Sequence, residues 1–179
     1  MARPAPALTL ALGLAAQNAI FEATGLMCDI RWPNDLLLSG KKVAGILVQV
    51  ADGKAVGGIG INVGHGAFPG ELAGVATSLK LEKEIARDRP QKTMVCPTEI
   101  VIALVKAVDS FAGLEKEEVL RLFAQASSYA RGRRVRVEQA DGTIEGTTAG
   151  LDPSGFLIVR KDDGTDTLVL AGGVRAAGS

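Results

Sequence analysis

The sequence predicts an α/β layer, a mixed sheet with helices, followed by a small β-barrel, with the change near Arg131. Three observations carry this. Upstream of Arg131, apolar runs of helix length alternate with runs of strand length. Downstream, Val135 and Val137 alternate with Arg134, Arg136 and Glu138, which is the period of a half-buried strand. The same region is cut by Asp141-Gly142, Asp152-Pro153-Ser154-Gly155 and Asp162-Asp163-Gly164, turn signals that separate short strands.

The elements follow in order. Residues 7–24 read as a helix, with Pro4 and Pro6 at its start and Gly25 as its stop. The stretch after Arg3 mimics a signal peptide, but it runs on into Gln17, Asn18, Ile20, Phe21 and Glu22, as a partly exposed helix does, so a cytoplasmic protein is expected. Residues 29–32 read as a strand that Pro33 interrupts. Residues 36–38, Ser39-Gly40 and residues 42–50 read as strand, turn, strand; Asp52-Gly53 then leads to a strand at 55–63. These strands alternate little, which predicts cover on both faces. Residues 64–93, beginning Gly64-His65-Gly66-Ala67-Phe68-Pro69-Gly70, have little periodicity and read as a mobile loop. Helices return at 97–112, stopped by Gly113, and at 115–128.

Composition narrows the function. A chain of 179 residues holds one medium domain, or one plus a small one. With 47% hydrophobic but only 4% aromatic residues, its core is aliphatic. Lys+Arg and Asp+Glu are both 20, so no global field points to nucleic acid or an anionic membrane. Cys28 and Cys96 lie far apart and the chain has one His, which argues against a zinc site or disulfide scaffold and suits a reducing compartment. No run reaches the ~20 apolar residues of a membrane span.

The chemistry concentrates in two places. Ile30-Arg31-Trp32-Pro33-Asn34-Asp35-Leu36 sets a cation, an amide and a carboxylate beside the only Trp, inside an apolar run. A strand edge broken at Pro33 would present them to a ligand bearing a carboxylate and a phosphate; a structural corner capped by Asp35 is the bland alternative. Gly58-Ile59-Gly60-Ile61-Asn62-Val63 is not a dinucleotide fingerprint, because Val63 stands where a third glycine belongs and no helix follows. Alone, its glycines read as a strand packed against another backbone. His65 has no triad partner in view. Arg131-Gly132-Arg133-Arg134, with Glu138, Asp141 and Glu145 nearby, reads as a solvated start to a strand.

Together with Lys42-Val43-Ala44-Gly45-Ile46-Leu47, these motifs resemble, in order and spacing, the central part of biotin protein ligase catalytic domains. Phe68-Pro69 and Ala76-Thr77-Ser78-Leu79 continue the likeness. Gly150-Leu151-Asp152, Gly155-Phe156-Leu157 and Ala171-Gly172-Gly173-Val174 are similar to that family's SH3-like C-terminal domain. The resemblance implies a partial catalytic domain at 1–130 and an SH3-like domain at 131–179. It implies an enzyme that uses ATP, with Mg²⁺, to activate biotin as biotinyl-AMP and passes it to a lysine of a biotin carboxyl carrier protein. Arg31 would be catalytic, standing where the family has a lysine. Trp32, Asn34, Asp35, Gly45, Gly58, Gly60 and Asn62 would bind substrate: Gly45 and Gly60 by letting the ligand lie close to the backbone, Asn62 by facing the adenine. The Gly64-to-Gly70 loop would order over the adenylate. No protein metal ligand is implied, and a homodimer is compatible. Gly173 stands where an acidic residue is common in the family.

Nothing before Arg31 contains the family's Ser/Thr-Asn biotin motif or its Gly-Arg-Gly-Arg loop. The expectation is therefore that the N-terminal portion of the catalytic domain is missing from these residues, and that alone they are inactive. Two readings from other classes stand beside this one: a non-catalytic biotin- or adenylate-binding or regulatory relative, and a small-barrel interaction module.

Overall fold

The computed structural model describes residues 6–85, 95–139 and 142–177. Its organising element is helix α1 (Pro6–Thr24), apolar nearly all round through residues 10–16. A helix with that pattern must be buried on every side, and α1 has three neighbours. Leu12, Ala16 and Ile20 face a sheet, Ala15 and Ala19 face a second helix, and Leu10 and Leu14 face the C-terminal region. Its C-terminal turn closes through Gly25, whose N–H donates to Phe21 O at 2.7 Å and whose φ is +72°.

Strands β1 (Asp29–Arg31), β2 (Asp35–Leu38), β3 (Lys41–Ala51) and β4 (Lys54–Ile61) form an antiparallel sheet in chain order. Ser39-Gly40 and Asp52-Gly53 make its tight turns, all four residues having positive φ, as type I′ hairpins require. One irregularity interrupts the ladder. Leu36 pairs with Ala44 but Leu37 pairs with Lys42, leaving Val43 as an extra residue in β3. Leu36, Ala44, Ile46, Ile59 and Ile61 turn toward α1.

The expected cover on both faces does not extend across the sheet. Most of β4 is exposed, with Val56 at 70%, and so is Leu47 of β3 at 63%. A continuous apolar run reports what a strand can bury, and among the described residues nothing packs over this face. The expected loop at 64–93 is likewise part helix: α2 (Gly70–Ala73) and α3 (Leu79–Ile85) form within it, while its residues 86–93 lie outside the described residues. Such short helices offer too few turns to register as a period in sequence.

Helix α4 (Pro97–Ala112) begins with Pro at its first position and lies against α1 through Ala103 and Ala107, small residues that let the helices approach closely. Helix α5 (Lys116–Ala126) leads into β5 (Arg131–Gln139), β6 (Gly142–Leu151), β7 (Leu157–Arg160), β8 (Asp166–Val169) and β9 (Gly173–Ala176). These strands form one antiparallel sheet in the order β8-β7-β6-β5-β9. Its end strands β8 and β9 do not pair, so the expected barrel is an unclosed sheet. Val135, Val137, Leu157, Val159 and Val169 point into a core shared with Leu10, Ile30, Trp32 and Phe123. A single apolar cluster thus runs across the region where the sequence changes character.

Candidate functional site

Four of the eight site residues legible in sequence share a row. Arg31 pairs with Asp35, Asp35 with Gly45, and Gly45 with Gly60, one residue from each strand of the first sheet. Register partners project to the same face of a sheet. The row spans three strand spacings, about 14 Å. Leu47 and Gly58 form the next row on that face, opposite to the one covered by α1.

The glycines leave this face open. A Cβ built on Gly60 meets nothing nearer than Gly45 O at 4.0 Å, and one on Gly58 nothing nearer than Leu47 O at 4.0 Å. Neither has a positive φ. Backbone packing and backbone conformation would both admit a side chain here. Gly57 is the contrast, since its Cβ would lie 2.6 Å from Leu12 Cδ1 on the α1 side.

Charge gathers at the β1 end of the row. An Arg31 guanidinium N–H donates to Asp35 Oδ2 at 2.6 Å. Lys42 Nζ lies 2.5 Å from Asp35 Oδ1. That second contact is a close ion pair. One carboxylate therefore faces two cations. Lys42 was not among the residues singled out from sequence; only its place in the β3 motif could have drawn attention to it.

The other expected residues are held in frameworks of their own. Asn34 Nδ2 donates to Ile46 O at 2.9 Å, and Ile46 N–H donates to Asn34 O at 2.8 Å, tying the turn after Pro33 to β3. Asn62 Nδ2 donates to Thr77 O at 3.1 Å. Thr77 Oγ1 and Ser39 Oγ each donate to the buried Glu82 carboxylate at 2.7 Å. This network, also missed in sequence, ties the β2–β3 turn to the segment carrying Thr77 and fixes the plane of the Asn62 amide. Ser78 Oγ donates to His65 O at 2.6 Å, anchoring the glycine-rich loop, where His65 stacks on Phe68 with centroids 5.3 Å apart.

Trp32 is only 3% exposed, and its indole N–H donates to Gly155 O at 3.0 Å. It joins the two sheets. With Pro33, Asn34, Ile46 and Phe156 it also lines a cavity of about 330 Å³ between them. Arg31, Asp35, Gly45, Gly58, Gly60 and Asn62 lie outside that cavity, on the open face. Cys28 is buried beside the site's scaffold. Burial, then the negative charges of Glu82 and Asp29, push its thiol up to about 12, so it is no nucleophile.

Comparison with known proteins follows the same division. The biotin/lipoate A/B protein ligase family matches residues 1–65, and the biotin protein ligase C terminal domain matches residues 131–173. The bifunctional ligase/repressor BirA of Bacillus subtilis is 31% identical over 166 residues, covering 89% of this chain and 50% of its own length. The biotin--[acetyl-CoA-carboxylase] ligase of Paracoccus denitrificans is 30% identical over 179 residues, covering 89% of this chain and 70% of its own. The biotin protein ligase from Aquifex aeolicus, solved in complex with biotin and ATP, superposes with a TM-score of 0.75 at 26% identity, over 96% of this chain and 72% of that one. The chain spans about half the length of the first of these relatives.

Proposed function

The chain belongs to the biotin protein ligase family, and from that premise we propose that it carries one wall of a site that activates biotin with ATP and delivers it to a lysine of a biotin carboxyl carrier protein. The observation that supports this most is the row Arg31–Asp35–Gly45–Gly60. It offers a flat trough, open over Gly58 and Gly60, with a cationic end, the shape and charge that an acyl-adenylate lying across a sheet requires.

In the first step a biotin carboxylate oxygen attacks the α-phosphorus of ATP, and pyrophosphate leaves. Two anionic groups must meet, so positive charge fixed in advance lowers the barrier. Arg31 supplies it, oriented by its hydrogen bond to Asp35. Its planar guanidinium differs in reach from a lysine and favours paired contacts to oxygen. Trp32 and Asn34 shape the neighbouring wall, Gly45, Gly58 and Gly60 leave room for the conjugate, and Asn62 faces the adenine with its amide fixed by Thr77. Mg²⁺ would be held chiefly by the ATP phosphates, as is common for this ion, and would neutralise charge there. In the second step the carrier lysine amine attacks the acyl carbon and AMP leaves. Free Cys28 and Cys96 suit a reducing, cytoplasmic setting.

In this reading residues 1–130 are part of a catalytic domain and residues 131–179 an SH3-like domain. The phosphate-holding Gly-Arg-Gly-Arg loop is not upstream of Arg31 in this sequence. Transition-state contacts of this kind are worth roughly 2–4 kcal/mol each, so without several of them the 179 residues alone turn over slower by many powers of ten. The test compares the chain alone with the chain fused behind a relative's N-terminal half. Pyrophosphate release and biotin on a carrier domain are measured in each. Activity in the fusion only is expected. Robust transfer by the chain alone, free of host ligase, overturns the one-wall reading; a folded fusion that binds neither biotin nor ATP overturns the ligase reading.

A further inference from the structure

We propose that Glu82 is a positioning residue that sets the purine preference of this site, by fixing which end of the Asn62 amide meets the base. The inference rests on the ligase reading above, in which Asn62 faces the adenine, and adds a residue that itself touches no ligand. Thr77 O is a carbonyl oxygen and can only accept, so the Asn62 group that meets it at 3.1 Å is the NH₂ end. With that end held, the Asn62 oxygen becomes an acceptor of fixed direction. An amide oxygen beside an amide N–H is the pattern that takes the 6-amino group and a ring nitrogen of adenine together. A purine with oxygen in place of that amino group would set acceptor against acceptor. A site built to accept from an N–H rejects the analogue that lacks it.

The carbonyl that holds Asn62 is itself held through Glu82. Both carboxylate oxygens are taken by hydroxyls, Oε1 by Thr77 Oγ1 and Oε2 by Ser39 Oγ, each at 2.7 Å. Glu82 is only 7% exposed. Burying a carboxylate costs free energy that an apolar side chain would not incur, and α3 already packs into the core through Leu79. What the carboxylate adds is direction. The main chain here is tied to two strands, since Thr77 N–H donates to Lys42 O and Leu79 N–H donates to Asn62 O, both at 2.9 Å. Those bonds fix where the segment runs, but neither engages Thr77 O. The hydroxyl–carboxylate contact pulls the Thr77 side chain toward the β2–β3 turn and so sets the rotation of the carbonyl that meets Asn62.

The experiment measures, by calorimetry on the full chain, the affinities for biotinyl-5′-AMP and for biotinyl-5′-IMP, which carries oxygen in place of the 6-amino group. Wild type should favour the adenylate by about tenfold or more. In Glu82→Ala that ratio should fall to about threefold or less. Glu82→Gln can still accept from Thr77 Oγ1 and can donate to Ser39 Oγ, so it should keep the wild-type ratio. A loss of stability alone would weaken both ligands alike and leave the ratio where it was. Thermal melts confirm folding. If Glu82→Ala does not melt cooperatively, Ser39→Ala, on an exposed turn, is read in its place and should lower the ratio by about threefold. The wild-type ratio in whichever of these two variants is read, or a Glu82→Gln ratio no higher than that variant's, overturns the inference and leaves the ligase reading standing. Equal binding of the two ligands by wild type, or an undiminished preference in Asn62→Ala, overturns the placement of Asn62 against the base and this inference with it. A wild-type chain that binds neither ligand removes the site reading as a whole.

Discussion

Three glycines of β4, Gly57, Gly58 and Gly60, separate packing from ligand space. Gly57 faces α1, where an added Cβ would lie 2.6 Å from Leu12 Cδ1, and Leu12 is a core residue. Overpacking of this kind costs about 1–3 kcal/mol. Replacing a strand glycine by alanine returns about 0.5–1 kcal/mol by removing freedom from the unfolded chain. Gly57→Ala should then be destabilised by roughly 1–2 kcal/mol, a fall of about 2–8 °C in melting temperature for a chain of this size. Gly60 faces the open side, where a Cβ meets only Gly45 O at 4.0 Å. Gly60→Ala should therefore melt at or slightly above the wild-type temperature. Its methyl would stand in the proposed ligand space, so biotinyl-5′-AMP binding should weaken tenfold or more, about 1.4 kcal/mol or above. Gly58→Ala should behave like Gly60→Ala in stability. Thermal melts and calorimetry on the three variants are sufficient. If Gly60→Ala melts as low as Gly57→Ala, or binds the adenylate as well as wild type, the assignment of the two faces is wrong.

Other perturbations test other links. Trp32→Phe leaves Gly155 O without its buried donor and should lower stability by about 1–3 kcal/mol in urea unfolding. Cys28 ionises at its ordinary 9.0 in the unfolded chain but is held up to about 12 when folded. Its contribution is thus complete below pH 9 and is lost between pH 9 and 12, by up to ~1.4 kcal/mol per pH unit; urea unfolding of wild type should show this slope and Cys28→Ala should lack it. In the fusion described above, Arg31→Ala should slow pyrophosphate release by an amount equivalent to about 2–4 kcal/mol, with Arg31→Lys recovering much of it. Release near the wild-type rate would remove Arg31 from the reaction.

The hairpins were legible because Ser39-Gly40 and Asp52-Gly53 have a conformational reason to occupy turns, and both do. Helix α4 was legible to its ends because Pro97 and Gly113 mark them. Arg31, Asp35, Gly45 and Gly60 could each be picked out, but their alignment could not, since a row is made by pairing between strands and not by spacing along one. Lys42 was hidden for a sharper reason. Reading β3 as a regular strand puts it on the wrong face, and nothing in Lys-Val-Ala-Gly announces an extra residue at Val43. Glu82 was hidden by context: an acid in a segment of weak periodicity reads as solvated, and only folding brings Ser39 and Thr77 to it. The exposure of β4 was misread because hydrophobicity states what a residue prefers, not what stands next to it.

The apolar cluster that joins Leu10, Trp32 and Phe123 to Val135, Val137 and Leu157 bears on how such proteins can be recombined. A crossover at Arg131 looks natural on sequence, yet it would cut through shared packing. Any chimera that imports a foreign C-terminal sheet inherits a mismatched surface unless Leu10 and Leu14 of α1 and Phe123 of α5 travel with it. The Gly155 carbonyl must also arrive where the Trp32 indole can reach it. Shuffling among relatives should therefore succeed as three-segment exchanges, α1, α5 and the terminal sheet together, and should yield insoluble protein when the sheet is moved alone.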